Sequence, residues 1–200
     1  PYADMGLTKI LDTVKNDDAL FLGDILSSGY FGAELAEIHP GDTVAVIGAG
    51  PVGLCAAMCA GLFGAGDVIM LDIDPERLEL AKQLGLATYG ICPSEVNAEE
   101  AVRSLTQGRG ADAVIEAAGG ADSFQTAWQI ARPNAVVALG AMYEQAQSLP
   151  LPDMYGKNLI FKTGGVDAVH CEQLMKLLSC GKLHTDFLIT HRAPLNDLLE

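Results

Sequence analysis

The residues best placed to do chemistry lie in the stretch VAVIGAGPVG, positions 44–53. An apolar run leads into three glycines, Gly48, Gly50 and Gly53, spaced G-x-G-x-x-G. Between a strand and a helix each has its own task. Gly48 permits a tight turn, Gly50 lets the backbone approach a pyrophosphate, and Gly53 allows the helix to pack closely on the strand. A helix starting at Pro51, with Val52 in its first turn, aims unpaired N–H groups and the positive end of its dipole at that pyrophosphate. Asp72 follows Gly53 by 19 residues, where the pattern expects a carboxylate for the adenosine ribose. Such a carboxylate accepts hydrogen bonds from both ribose hydroxyls and repels a 2′-phosphate, so the spacing predicts NAD in preference to NADP. Asp74 is a competing carboxylate, and Arg77 could in principle greet a phosphate. Because Asp72 directly ends its strand and Asp74 stands where a helix needs an N-cap, the ribose is assigned to Asp72. Ile73 and Arg77 complete that edge of the cofactor-facing set.

Those groups need elements to hold them. Residues 42–164 repeat one theme: a β-branched strand, a turn, then a small-residue or amphipathic helix. Strands are predicted at Thr43–Ile47, Asp67–Leu71, Thr88–Cys92, Ala113–Glu116, Ala135–Leu139 and Leu159–Thr163. Helices are predicted from Pro51 to about Phe63, over Pro75–Leu84 and Ala98–Thr106, and from about Asp122 to Ile130. Strands alternating with helices imply crossovers and a mostly parallel sheet, and VAVI, VIML and AVVAL are apolar throughout, as strands covered on both faces should be. The predicted fold is α/β, a doubly wound parallel Rossmann sheet of about six strands with helices on both faces. Residues 1–18 show no helical period, and FLITHR (187–192) reads as a strand outside the sheet. The stretch Asn196–Glu200 reads as the start of a helix. With Pro1 at the other end, these features suggest a piece of a longer protein.

Composition narrows the classes. Hydrophobic residues make up 50% of the 200 and charged residues 19%, enough to bury a core. The formal charge of −14, from 26 acids against 12 bases, argues against nucleic-acid and anionic-lipid partners. No apolar run reaches the roughly 18 residues of a membrane helix. Five cysteines, odd in number and without C-x-x-C, point to a reducing, cytoplasmic setting. Cys55 and Cys59 share a helix face at i, i+4 spacing, but their Ala- and Gly-rich helix makes buried thiols the better reading than a metal pair. No two histidines have metal-ligand spacing.

Four segments in order, GDILSSGYFGAE (23–34), HPGDTVAVIGAGPVGL (39–54), VIMLDIDPERLELAKQLG (68–85) and GRGADAVIEAAGG (108–120), resemble the zinc-dependent medium-chain alcohol dehydrogenases. The members that oxidise secondary alcohols or handle formaldehyde are nearest. The resemblance implies that residues 23–186 are the NAD(P)-binding domain, residues 1–22 an arm of a catalytic domain lying elsewhere, and residues 187–200 the return to it. It implies hydride transfer between NAD and a small alcohol, secondary or polyol, with zinc in the complete enzyme and no turnover by the fragment. Asp24 matches the zinc ligand contributed from this part of the chain, though by itself it could equally cap the helix that follows. Ser28 matches a hydroxyl residue beside the nicotinamide. Ala118 and Gly119, and Gly140 to Met142, should line the nicotinamide cleft. Glu116 matches a family acid whose role is read as structural. The edge LIFKTGG (159–165) resembles the one through which members pair, which implies a homodimer or homotetramer. A zinc-free, NADP-preferring quinone reductase, a non-catalytic nucleotide-binding module and an S-adenosylmethionine-dependent methyltransferase are the competing readings.

Overall fold

Apolar runs such as VAVI, VIML and AVVAL form the central strands, and breaks at Pro, Gly, Asp and Asn start most of the helices. The computed structural model describes residues 7–167 and 169–197. In chain order it contains α1 (Asn16–Ala19), a π-helical turn (Leu22–Leu26) continuing into α2 (Ser27–Leu35), β1 (Thr43–Ile47), α3 (Pro51–Phe63), β2 (Asp67–Leu71), α4 (Pro75–Gln83), β3 (Tyr89–Ile91), α5 (Ala98–Leu105), β4 (Ala111–Glu116), α6 (Ser123–Ile130), β5 (Ala131–Leu139), α7 (Leu151–Met154), β6 (Ile160–Thr163) and α8 (Cys171–Ser179). The α4 and α5 starts are capped in side-chain detail: Asp74 accepts from the Glu76 amide at 2.9 Å and Asn97 from the Glu100 amide at 3.0 Å.

All six strands are parallel in the order β3-β2-β1-β4-β5-β6, so the winding reverses between β1 and β4. Alternate residues serve opposite faces. Val44, Val46, Val68, Met70 and Ile115 pack under α2, α3, α4 and α8, while Ala45, Ile47, Ile69, Leu71 and Val114 pack under α5 and α6. This is the doubly wound parallel sheet expected. Gly29 lets α2 touch α3, since a Cβ there would stand 2.5 Å from the Cys55 Cβ. The strands end level with one another: Ile47 pairs with Leu71 and Glu116, Leu71 with Ile91, and Glu116 with Leu139. The residues that follow these ends therefore emerge along one rim.

Four expectations need correction. FLITHR is not a strand: Asp186–Leu188 is a 3₁₀ turn, and no ladder forms among the described residues that follow it. The segment is held instead against the beginning of the chain. The Thr185 amide and hydroxyl donate to Asp18, Arg192 pairs with Asp17, and Phe187 and Leu188 pack on the core. Residues near the start are not wholly aperiodic, because Asn16–Ala19 makes one helical turn. Strand β5 begins at Ala131, four residues early, since Pro133 and Asn134 form an irregularity within it rather than a turn before it. The expected terminal helix reduces to a 3₁₀ turn at Leu195–Asp197, and its remainder lies outside the described residues, as does the start of the 1–22 arm.

One half-buried ammonium closes the end of α6. Lys157 Nζ donates to the carbonyls of Trp128, Gln129 and Ala131 at 2.9, 2.5 and 3.0 Å and lies 5.5 Å over the Trp128 ring. These carbonyls include ones the helix itself leaves unpaired, and a cation there also meets the negative dipole end. Lys157→Met, which keeps the stem and loses the donors, is expected to lower stability by about 1.5–3 kcal/mol, the range for hydrogen bonds to charged groups. Urea unfolding measures this, and an unchanged midpoint would show that the cap contributes nothing.

Candidate cofactor-binding site

The glycine turn sits at the crossing point of the winding. Gly48 has φ +98°, a left-handed value that suits glycine, and its amide donates to the Leu71 carbonyl at 2.7 Å. A Cβ on Gly53 would lie 1.8 Å from the Gly48 carbonyl oxygen, so only glycine lets the first turn of α3 lie this close to the β1 turn. Gly50 differs. Nothing of the protein lies within 4 Å of where its Cβ would be, and its backbone is extended. The space on that side opens to the cleft. No side chain caps α3, and Pro51 occupies its first turn, so the free amide end of a 13-residue helix faces that opening.

Asp72 binds the turn from the β2 side. Its Oδ2 accepts from the Ala49 amide at 2.6 Å and its Oδ1 from the Asp74 amide at 2.9 Å. Each carboxylate oxygen offers about two lone pairs, so one on each remains after these bonds. Arg77 is mostly exposed and engaged by Asp74, Nε to Oδ2 at 3.4 Å.

These groups line a cleft of about 660 Å³ at the carboxyl rim of the sheet. Of the residues expected from sequence, Gly48, Gly50, Asp72, Ile73, Arg77 and Ala118 line it. Pro51, Val52 and Gly53 are not among its lining residues; they form the first turn of α3, directly after Gly50. Gly119 lies in the turn after β4, where its φ is +63° and a Cβ would stand 2.8 Å from the Met142 carbonyl. Sequence reasoning did not single out Pro93 and Ser94, which bring the β3 end to the cleft, or Ala121 to Ser123 and Thr126 on the far wall. Their signal was positional, since each follows or faces a strand's carboxyl end, but Pro, Ser, Ala and Thr carry no distinctive chemistry there.

Asp24 and Ser28 are not among the lining residues of the cleft. Asp24 lies in the π-helical turn, exposed, and does not cap α2; the Ser28 hydroxyl donates to its Oδ1 at 3.4 Å. The turn runs into α2 without a break, so α2 has no free amide end at Asp24 for the carboxylate to cap. No three His, Cys, Asp or Glu side chains among the described residues stand close enough to hold a metal ion. One carboxylate suits zinc as a single ligand, not as a site. Cys55 and Cys59 are buried: burial pushes the Cys55 thiol up to about 12, and Cys59 is raised by burial and by Cys55 beside it. Neither is a thiolate at neutral pH.

A phosphate-sized turn with a free helix end, followed by a carboxylate after the second strand at the switch point, is the architecture of dinucleotide-binding domains. The comparisons with known proteins agree. The profile of the zinc-binding dehydrogenases matches residues 51–178. An alcohol dehydrogenase of Cupriavidus necator is 33% identical over all of this chain and 55% of its own length. An NADP-dependent isopropanol dehydrogenase of Thermoanaerobacter brockii is 35% identical over 94% of this chain and 55% of its own. The structure of the alcohol dehydrogenase TADH from Thermus sp. ATN1 superposes with a TM-score of 0.88 at 36% identity, over 95% of this chain and 55% of that one. The chain belongs to the zinc-binding, medium-chain alcohol dehydrogenase family. It spans about half the length of the relatives it matches.

The two glycines give different predictions. Gly50→Ala is expected to leave thermal stability within about 1 kcal/mol, the scale of an N-cap change, while weakening dinucleotide binding. Gly53→Ala should lower both, because the added carbon meets backbone. Calorimetric unfolding with an NADH titration on each variant separates them, and equal behaviour of the two would refute the assignment of Gly50 to the ligand.

Proposed function

We propose that this chain is the coenzyme-binding part of an NAD-dependent, zinc-assisted dehydrogenase acting on a small alcohol, secondary alcohols and polyols foremost. The observation that carries the NAD preference is Asp72. Its two remaining lone-pair positions, one on each oxygen, suit the two adenosine ribose hydroxyls, and its charge opposes a 2′-phosphate. The first turn of α3 takes the pyrophosphate on its amides. Ile73, exposed and apolar, and Pro93 flank the adenine end. The NADP reading draws on Arg77 and on relatives that are named NADP-dependent. Arg77, however, already serves Asp74, and a phosphate at that edge would sit against Asp72.

Asp24 is proposed as one zinc ligand, the others being supplied from outside the described residues. Zinc, when bound, acts as a Lewis acid that polarises the alcohol oxygen. The share of this chain is to bind NAD and orient its nicotinamide, with Ser28 on the ring side. Taken alone, the 200 residues should bind the cofactor and turn nothing over. The strand β6, whose outer edge is unpaired among the described residues, is proposed to join a second copy into a homodimer or homotetramer. Lys162 on that strand is tied to Glu37 at 2.5 Å, so its charge is turned to its own subunit. A cytoplasmic setting suits the five free cysteines. No helix among the described residues is long and apolar enough to cross a membrane.

Asp72→Ser removes the ribose acceptors and the charge together. Losing a hydrogen bond to a charged group costs about 1.5–3 kcal/mol, so the NAD-to-NADP affinity ratio is expected to fall about ten- to a hundredfold. Dissociation constants for NADH and NADPH measure it, and an unaltered ratio would remove Asp72 from the ribose.

A further inference from the structure

Strand β4 ends in a carboxylate sealed from water. Glu116 is 0% exposed, yet its Oε1 accepts from the amides of Ala118 and Gly119 at 2.9 and 2.8 Å. Its main-chain carbonyl accepts from the amides of Gly140 and Ala141 at 2.9 and 3.2 Å. One residue thus holds both the turn after β4 and the turn after β5. Those two turns form the rim of the half-sheet that lies across the switch point from Asp72.

The hub is incomplete. Glu116 Oε2 has no hydrogen-bond partner among the described residues, and neither has the Tyr143 hydroxyl, which is also shut off from solvent. Tyr143 stands three residues past Gly140, with its ring edge-on to Phe124 at 6.5 Å and 89°. Burial, with Glu116 beside it, raises the pKa of its hydroxyl, against the opposing effect of Ser123. An acceptor without a donor and a donor without an acceptor lie side by side. Buried polar groups are seldom left so, and a small movement of the segment carrying Tyr143 would satisfy both.

We propose that Glu116 is a positioning residue for the nicotinamide half of the cofactor, and that Tyr143 closes on its free oxygen as a latch when that half is seated. The proposal rests on reading the cleft as a nicotinamide dinucleotide site. The adenosine half, held at Asp72 and the α3 turn, lies over β1 to β3. The other half must lie over β4 and β5, where the β4 turn hangs on this carboxylate and the β5 turn on the main-chain carbonyl of the same residue. One side-chain oxygen accepting from two amides at once gives a reason for an acid at a place that offers it no water.

The test compares two ligands in the full chain. NADH fills both halves of the cleft, whereas ADP-ribose lacks the ring. Glu116→Gln keeps the shape and one acceptor oxygen but replaces the other oxygen with an amide donor. It is expected to weaken NADH about tenfold, equivalent to about 1.4 kcal/mol, while ADP-ribose changes less than about twofold. Tyr143→Phe should act in the same direction by a smaller factor. Equal weakening of both ligands would reduce Glu116 to a merely structural residue, and unchanged NADH affinity would overturn the proposal outright. If Glu116→Gln does not fold, Tyr143→Phe, which keeps the ring, decides by the same ratio. If the unaltered chain binds neither ligand, the cofactor reading itself is wrong, whereas ADP-ribose and NADH binding with an unmoved ratio rejects the Glu116 proposal alone.

Discussion

The contact on which the site depends is the approach of the Gly53 backbone to the Gly48 carbonyl. It brings the start of α3 into the bend of β1, so that the helix's unpaired amides open on the carboxyl rim and not into the protein. A single carbon at position 53 would occupy the oxygen's place. Asp72 then ties that bend from the neighbouring strand, through the Ala49 and Asp74 amides. The turn is preformed: helix, strand and carboxylate hold one another through the chain's own bonds. Preorganisation of this kind spares a ligand the cost of ordering the loop.

The two halves of the sheet use an acid at corresponding places for different ends. Asp72 follows the end of β2, half-buried, with lone pairs turned to the cleft. Glu116 is the last residue of β4, fully buried, with Oε1 spent on the turn that follows it. The difference follows from where each stands relative to the strand end. A residue just past the end emerges at the rim, while one still in the ladder points into the helix layer. Level strand ends, set by the pairing of Ile47 with Leu71 and Glu116, make that distinction sharp.

Much of this was legible in the residues, because the signals were local. Alternating apolar strands and capped helices gave the winding, and G-x-G-x-x-G with Asp72 gave the cleft floor and one wall. What escaped was long-range. FLITHR has the composition of a strand, but its neighbour Thr185 finds Asp18 at the opposite end of the described chain, and no local pattern encodes that partner. Pro133-Asn134 has the composition of a turn, yet β4 and Lys157 on either side keep it in the strand. Asp24 read equally as a cap until the continuous π-helical turn removed the amide end it would have capped. The pairing of Glu116 with the β5 turn joins residues that share no motif.

A charge of −14 looks at odds with the anionic dinucleotide proposed for the cleft. Its lining contains Asp72 and Asp122 against a single cation, Arg77, and that cation is paired with Asp74. Net attraction between charged side chains cannot be what holds a pyrophosphate here. The amide end of α3 can, because its partial charges lie within hydrogen-bond reach of the phosphates, while the acidic surface is screened over about a Debye length, 8–10 Å at physiological salt. Recognition is therefore directional before it is coulombic. That is why the geometry of three glycines, and not the count of lysines and arginines, decides what the cleft can hold.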